Sequence, residues 1–207
     1  LARTLSGFAP RESQRLMAEA VAETIANASQ LMVEAGTGTG KTFAYLVPAL
    51  ASGKRVIIST GSKALQEQLY NRDLPALLAA MDYQQPVALL KGRANYLCLH
   101  RLDQLLMTSH LQEAEVLADL VRVKTFSIDS VSGDVADIPE LLEQAPILPH
   151  VTSTNDNCLG RDCPRYDECY LVKARRKALD AQLVVINHHL FFADMVVKDT
   201  GFAELIP

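Results

Sequence analysis

The sequence predicts an α/β protein whose parallel sheet is interrupted by a long, largely helical insertion. Three observations lead to this class. Short apolar runs alternate with helical stretches in the order strand, helix, strand, helix, strand. A glycine-rich stretch, AGTGTGKT, lies between the first apolar run and the helix that follows it. About 90 residues that do not alternate separate the third apolar run from the fourth.

The alternating part of the chain supplies the predicted strands and helices of the sheet. A first helix is expected to open at Pro10, because proline suits the first turn of a helix. Buried strands are expected at residues 31–35, 54–60, 86–92 and 181–189. Further helices are expected at residues 43–52 and 62–82, the second of them broken at Pro75.

The non-alternating residues are predicted to form an insertion into this sheet. It holds a helical stretch at 97–123, a loop rich in Asp, Ser, Gly and Pro at 127–150, and a group of cysteines. We therefore expect three parts, namely the first part of the sheet domain at 1–92, the insertion at 93–178, and the continuation of the sheet domain at 179–207.

Composition excludes several classes of protein. The 207 residues are 49% hydrophobic and 21% charged, as in ordinary globular proteins. No apolar run approaches the roughly 18 residues that a membrane helix needs, and the start of the chain does not resemble a signal peptide. Four cysteines are too few for a disulfide scaffold of this size. We therefore expect a cytoplasmic protein without a membrane partner.

The distribution of charge points to a nucleic-acid partner more than the net charge of −4 does. Residues 103–143 hold nine acidic side chains and two basic ones. In contrast, residues 88–101 and 171–177 hold basic side chains and no acid, and both segments flank the cysteines. Each run alone is consistent with a solvated face, but two basic runs at the same feature favour contact with phosphates.

The stretch from Ala35 to Thr42 fits the relaxed phosphate-loop pattern, with Ala35 where the strict pattern has glycine. Its glycines allow a tight backbone whose N–H groups point at phosphate oxygens, and the following helix adds the positive end of its dipole. The side chain of Lys41 is expected to reach the β- and γ-phosphates, and the Thr42 hydroxyl to bind Mg²⁺. The pattern predicts binding of ATP with Mg²⁺.

Hydrolysis needs a further carboxylate at the end of a buried strand to hold the Mg²⁺ shell. No apolar strand of this sequence ends in one. The stretch that ends at Asp82 is Ala-rich and reads as helix, and the last apolar strand ends in Asn187. Either the protein is an unusual ATPase, or the acid lies beyond this sequence.

The four cysteines stand at positions 98, 158, 163 and 169, with 59, four and five residues between them. Structural zinc sites favour pairs that are two to four residues apart, and Cys98 has no close neighbour in sequence. Four thiolates bind either zinc or an iron–sulfur cube. The spacing leaves open a cluster, a zinc ion, and unliganded or disulfide-bonded cysteines.

Taken together, the motifs resemble a known family. The stretches FAPRESQ, VEAGTGTGKT, VIISTGSKALQEQL, ALLKGRANYLC, NCLGRDCPRYDEC and LVVINHHLFFAD follow one another along the whole chain. In this combination the chain is similar to the XPD-like iron–sulfur DNA helicases of superfamily 2, and most similar to the bacterial DinG/YoaA type. The resemblance implies a RecA-like motor domain, a [4Fe–4S] cluster, and ATP-driven movement on DNA.

The resemblance also implies roles for single residues. Gln14 matches a glutamine that reads adenine, although a lone glutamine on a helix is usually a surface residue. Thr60 matches a residue that contacts the phosphates of a single strand. The implied nucleotide-binding set is Gln14, Ala35, Gly36, Thr37, Gly38, Thr39, Gly40, Lys41 and Thr42. The implied cluster ligands are Cys98, Cys158, Cys163 and Cys169.

A cluster that pins the insertion would let it act as a wedge or guide beside DNA. The candidate phosphate contacts are Lys91, Arg93, Lys173, Arg175 and Arg176, and Tyr96 is a candidate for stacking on a base. The alternative for the basic residues is a solvated face, and the alternative for Tyr96 is packing inside the insertion.

Members of the resembled family continue into a DEAH box, an arch domain and a second RecA-like domain. We therefore expect the N-terminal part of a helicase that moves 5′→3′ on single-stranded or forked DNA in DNA repair, with a possible replication or repair protein as partner. This N-terminal part is expected to be inactive alone. A rival hypothesis is a nucleotide-gated nucleic-acid-binding module with a structural zinc and no motor activity.

Overall fold

The computed structural model describes residues 11–108 and 114–199. The described chain divides into two compact units. The first contains residues 11–89 and 180–199, and the second contains residues 90–179 without the gap at 109–113.

The first unit is built on a parallel sheet. Its described strands are β1 (Val56–Thr60), β2 (Val87–Leu89) and β3 (Leu183–Asn187), and their order in the sheet is β1-β3-β2. Val56 pairs with Leu183 on one side of β3, and Val87 pairs with the same residue on the other side. Residues 183–186 are buried, as expected for a central strand with both faces covered. The predicted α/β class with a parallel sheet is confirmed.

The first unit contains five α-helices among its described residues, two before β1, two between β1 and β2, and one after β3. They are α1 (Glu12–Asn27), α2 (Lys41–Ala51), α3 (Lys63–Gln68), α4 (Leu74–Met81) and α9 (His188–Asp199). Leucines of α2 and α4, among them Leu46 and Leu77, form a core with Leu183 and Val185 of the sheet. Pro10, which we expected to open α1, lies outside the described residues.

Pro75 does not break the helical stretch that contains it. Residues Leu69–Asp73 form a π-helical turn that joins α3 to α4, and Pro75 lies in the first turn of α4. A proline removes one backbone donor and crowds the carbonyl of the preceding turn. The wider π-turn accommodates both effects. The expected helix break at Pro75 was therefore wrong, although the helix geometry does change next to this proline.

The strand expected at residues 31–35 is absent from the described structure. These residues have no regular secondary structure, and the Met32 side chain is 97% exposed. An extended segment is stabilised as a strand only when a neighbouring strand pairs with it. None of the three described strands does so, and the apolar composition alone could not reveal this.

The second unit is mainly helical. Its helices are α5 (Leu99–Met107), α6 (Ala114–Asp129), α7 (Leu148–Val151) and α8 (Tyr170–Asp180), which begins in this unit and ends at the first residue of the other. Leu102 of α5, Val123 of α6, Val151 of α7 and Leu171 of α8 share one core. The predicted loop at 127–150 overlaps the ends of α6 and α7 and contains a short 3₁₀ turn at Val135–Asp137.

Gly133 allows a close approach within this unit. Its φ is +64°, a left-handed conformation that side chains with a Cβ rarely adopt, and the Tyr170 ring lies directly where a Cβ would stand. The Gly133 carbonyl accepts a hydrogen bond from Leu97 N–H at 2.8 Å, and the Tyr170 hydroxyl donates to the Ser127 carbonyl at 3.1 Å. Gly133 therefore ties the start of the insertion to α8.

Candidate functional site: a phosphate loop and a cysteine group

The phosphate loop precedes α2. Gly38 and Gly40 have φ values of +73° and +85°, so the chain turns through two left-handed residues before Lys41 begins the helix. The Thr39 hydroxyl donates to the Gly36 carbonyl at 2.9 Å and closes the turn. A tight loop that ends at a helix N-terminus is the geometry that binds phosphate.

Lys41 is folded into this loop. Its Nζ donates to the carbonyl oxygens of Ala35 at 2.5 Å and Gly36 at 3.1 Å. Thr42 makes a side-chain hydrogen bond with Tyr45. Burial raises the pKa of Tyr45, and this hydrogen bond opposes part of that increase. The two side chains predicted to bind phosphate and Mg²⁺ thus lie at the start of the same helix.

Two side chains of the first helical segment contact the loop. The Gln14 amide donates through Nε2 to the Gly40 carbonyl at 3.0 Å, and its side chain fills the space that a Cβ on Gly40 would need. Arg11, immediately before α1, donates through its guanidinium to the Gly38 carbonyl. The sequence pointed to Gln14 but not to Arg11, although both belong to the RESQ stretch.

Thr60 lies at the carboxyl end of β1. Its hydroxyl donates to the carbonyls of Ser62 at 3.2 Å and Ile186 at 3.3 Å. Beside it, Ser59 Oγ and His188 Nδ1 are 2.6 Å apart and join the carboxyl ends of β1 and β3. Sequence reasoning did not single out Ser59 or His188, although the polar NHH stretch directly after an apolar strand was a usable signal.

The cysteines of the second unit occupy the starts of two helices and both sides of one turn. Cys98 immediately precedes α5, and Cys169 immediately precedes α8. Cys158 and Cys163 flank the short 3₁₀ turn at Gly160–Asp162, where the Gly160 N–H donates to Cys158 Sγ at 3.4 Å. Helix N-termini and backbone donors both favour thiolate over thiol.

All four cysteines are free thiols of intermediate burial. Burial raises the pKa of the Cys98 thiol and the Arg101 N–H lowers it, while the charges of Cys169, Cys163 and Cys158 raise it further. The charges of the other three thiolates thus reach Cys98, and none of the four cysteines is joined in a disulfide.

Within residues 11–108 and 114–199, no group of three or more His, Cys, Asp or Glu side chains has the geometry to hold a metal ion. Four free thiols are a donor set for a zinc ion and for a [4Fe–4S] cluster alike, so the chemistry of these side chains fits either group.

Two predicted DNA contacts need correction. Lys91 is 7% exposed and forms an ion pair with Asp134, and Tyr96 is 6% exposed. The Tyr96 hydroxyl accepts a hydrogen bond from the Lys91 N–H at 3.0 Å. Their side chains therefore hold the insertion together and are not presented to a DNA strand. Tyr96 is packed inside the insertion, which is the alternative to base stacking that the sequence analysis gave for it.

The other basic candidates are more accessible. The Arg93 Nε donates to Asn155 Oδ1 at 3.2 Å. Lys173 lies over the Tyr170 ring and the exposed Arg176 over the Tyr166 ring, at 5.8 and 5.9 Å from the ring centroids. Burial lowers the pKa of the Arg175 guanidinium, and the charge of Arg93 lowers it further, whereas Cys158 and Cys169 raise it. Arg175 thus lies within electrostatic reach of Cys158, Cys169 and Arg93.

Comparison with known proteins identifies the family. The sequence profile described as DEAD/DEAH box helicase matches residues 15–125, more than half of the chain. This chain belongs to the DEAD/DEAH box helicase family. The family places the phosphate loop, α2 and the parallel sheet in a partial RecA-like helicase domain.

Similar proteins include the ATP-dependent DNA helicase YoaA of Haemophilus influenzae, 58% identical over 207 residues, and that of Escherichia coli K12, 56% identical. Both alignments cover 100% of this chain and 32% of the relative. The ATP-dependent helicase DinG of Mycobacterium tuberculosis is 38% identical, with 96% of this chain and 33% of the relative covered. The chain spans about a third of the length of these helicases.

None of the helices in the described part of this family member is long and apolar enough to cross a bilayer.

Proposed function

We propose that this chain is the N-terminal part of an ATP-dependent DNA helicase that moves 5′→3′ on single-stranded DNA in DNA repair, in the cytoplasm. The observation that carries the proposal is the phosphate loop at the start of α2, found in a member of the DEAD/DEAH box family. A nucleotide-driven motor needs that loop, and the relatives named above are helicases.

In this proposal the phosphates of ATP bind the N–H groups between Gly36 and Lys41. Lys41 exchanges the carbonyls of Ala35 and Gly36 for phosphate oxygens, which attract an ammonium group more strongly than neutral carbonyls do. Thr42 supplies its hydroxyl to Mg²⁺. Gln14, already held against the loop through Gly40, presents its amide to adenine.

The carboxyl ends of β1 and β3 are the proposed contact with single-stranded DNA. Ligands of parallel α/β sheets bind at the carboxyl ends of the strands. Thr60 and the backbone around Ser62 lie there, and the Ser59–His188 hydrogen bond holds the two strand ends together. In the second unit, Arg93, Lys173, Arg175 and Arg176 remain the proposed phosphate contacts.

The four cysteines are the proposed ligands of a [4Fe–4S] cluster. Its support is the Coulombic interaction of Cys98 with the other three thiols, the two helix N-termini, and Arg175, whose charge interacts with Cys158 and Cys169 and would offset the negative charge of a thiolate-bound cluster. When bound, such a cluster cross-links segments that are far apart in sequence. The chain itself orients the sulfurs through Cys98 N–H, which donates to the Val151 carbonyl at 2.7 Å, and through the Asp103–Arg165 ion pair at 3.3 Å.

Strand displacement by the full-length protein tests this function. Three matched duplexes carry a 5′ single-stranded tail, a 3′ tail or no tail, and ATP is supplied with Mg²⁺. We expect displacement of the 5′-tailed duplex alone. Equal displacement of the 3′-tailed duplex would refute the polarity, and displacement of no substrate would refute the helicase.

A further inference from the structure

Helix α6 of the insertion is apolar on two separate faces. Val116, Leu120 and Val123 are buried in the core of the second unit. Leu117, Val121 and Ile128 recur four and seven residues apart, so they share another face of the helix. Their exposed fractions are 37%, 72% and 75%. The core of the unit therefore buries only one of the two apolar faces of α6. An apolar helix face that stays exposed to solvent indicates an interaction surface.

A groove lies beside this second face. It encloses about 600 Å³ between α6 and the segment 137–140. Its apolar lining comes from Val121, Phe126 and Pro139. A volume of this size accepts a few large side chains, and the groove continues the exposed face through the shared Val121.

The groove is acidic. Exposed carboxylates of Asp129, Asp137 and Glu140 line it. The one guanidinium in the lining, Arg122, donates to Asp119 at 2.8 Å and to Glu140 at 3.1 Å, so it offsets the Glu140 charge, and Asp129 and Asp137 supply the excess negative charge of the groove. Lys124 of α6 is not among the lining residues. A groove with apolar side chains at its base and carboxylates at its edge is complementary to a partner segment that has both apolar and basic side chains.

We propose that this groove docks a basic amphipathic helix of a partner protein. Apolar residues of that helix, repeating at i, i+3 or i+4 and i+7, fill the groove and cover Leu117, Val121 and Ile128, while its Lys and Arg side chains meet Asp129, Asp137 and Glu140. Nucleic acid and anionic membranes are disfavoured, because phosphates and these carboxylates repel each other. None of the four cysteines lines the groove, and the inference holds whether or not the proposed motor function does.

The test uses the full-length protein and a labelled synthetic peptide. The peptide has about 16 residues, just above the length at which isolated helices are marginal, so that it can become helical on docking, with leucines at i, i+4 and i+7 and lysines on the remaining faces. A second peptide keeps the leucines and replaces every lysine with glutamate. Fluorescence anisotropy should show saturable binding of the basic peptide alone, and added salt should weaken it.

Two substitutions in the groove should reduce this binding by about tenfold or more, since an interface core residue or a close charge commonly contributes that much. Asp129→Lys reverses a rim charge at the end of α6, where a cation also suits the helix dipole. Val121→Asn removes exposed apolar area. The matched controls are Glu143→Lys and Met107→Asn, which change exposed side chains of the same unit outside the groove lining and should leave binding unchanged.

Each other outcome contradicts the proposal. Equal binding of both peptides, or equal binding by the groove and control variants, would show that the groove is not the docking site. Concentration-dependent self-association abolished by Asp129→Lys would make a second copy the occupant. No peptide binding, combined with slow amide exchange along α6 in the full-length protein alone, would show that the protein's own chain covers the groove.

Discussion

The Lys91–Asp134 ion pair joins two segments that are 43 residues apart, at the place where the insertion begins. Asp134 also accepts a hydrogen bond from Ala136 N–H at 3.0 Å and so caps the 3₁₀ turn. Both residues of the pair are buried, with exposed fractions of 7%. Removing one partner of a buried pair leaves the other charge in a poorly solvated place, which costs more than the pair itself contributes.

Asp134→Ala should therefore destabilise the second unit by about 3 kcal/mol. The loss of stability can be measured in the full-length protein by urea unfolding, with cleavage by a protease within residues 90–179 as the readout. Glu143→Ala, which removes an exposed acid of the same unit, is the control. Unchanged resistance to urea and protease in Asp134→Ala would show that the pair does not anchor the insertion.

Gly133→Ala should destabilise the same unit through two effects. A left-handed alanine costs about 1 kcal/mol, and the added methyl group must displace the Tyr170 ring, which costs about 1–3 kcal/mol more. Gly53→Ala is the matched control, because Gly53 has a φ of +65° and nothing within 4 Å of an added Cβ. Equal losses of thermal stability in the two variants would show that strain alone acts and that the Tyr170 contact contributes nothing.

At the residue scale, the sequence was informative where chemistry depends on spacing. The loop from Ala35 to Thr42 could be recognised directly, whereas the spacing of the cysteines left a cluster, a zinc ion and unliganded or disulfide-bonded cysteines open. Lys91 and Tyr96 could not be placed, because their burial depends on Asp134, which is distant in sequence. Arg11 was missed because an arginine near a helix start resembles any solvated residue until the fold brings it against Gly38.

At the scale of elements, the cysteine group depends on two helix starts and one turn. The segments that carry Cys98, Cys158 and Cys169 share the core of the second unit only in part, through residues such as Leu99, Val151 and Tyr170. A cluster bound by these cysteines would stabilise segments that the core leaves exposed, such as the turn at Gly160–Asp162.

Anaerobically purified full-length protein should therefore contain about four irons per chain, as a cube requires, with broad visible absorption. Cys158→Ser should lower the iron content and expose residues 99–170 to protease while α2 and the strands β1 and β3 stay protected. Thr154→Ser, an exposed neighbour, is the control. Stoichiometric zinc without iron, or a Cys158→Ser protein that keeps both its iron and its protection, would contradict the cluster assignment.

Strands and helices were predicted well where a continuous apolar run found a partner. The strands β1, β2 and β3 lie within the predicted ranges, shortened at their ends because only the paired residues form ladder hydrogen bonds. Residues 31–35 have the same apolar composition without a paired neighbour. The π-turn before Pro75 arises from a backbone conflict that periodicity does not reveal.

At the scale of the whole molecule, none of the three described strands ends in a carboxylate. The three described strands end at Thr60, Leu89 and Asn187. We predict that the 207-residue chain alone hydrolyses ATP near the background rate, with or without DNA, because groups that stabilise the transferring phosphoryl are commonly worth about 10³–10⁵ in rate. Steady-state phosphate release measures this. Robust turnover by the 207 residues would mean that a catalytic acid within them has been overlooked.

The most direct test of the motor assignment is ATP turnover by the full-length protein, with and without single-stranded DNA, beside the Lys41→Ala variant. Lys41 is the charged residue of the loop sequence itself, and its Nζ donates to the loop carbonyls of Ala35 and Gly36. Its removal should leave the fold intact while taking away a contact to the charge that develops on phosphate, a loss of about a hundredfold or more in rate. We expect hydrolysis that DNA stimulates in the wild-type protein and that Lys41→Ala abolishes. An ATP hydrolysis rate that single-stranded DNA does not change, or that stays at the wild-type level in Lys41→Ala, would contradict the motor assignment.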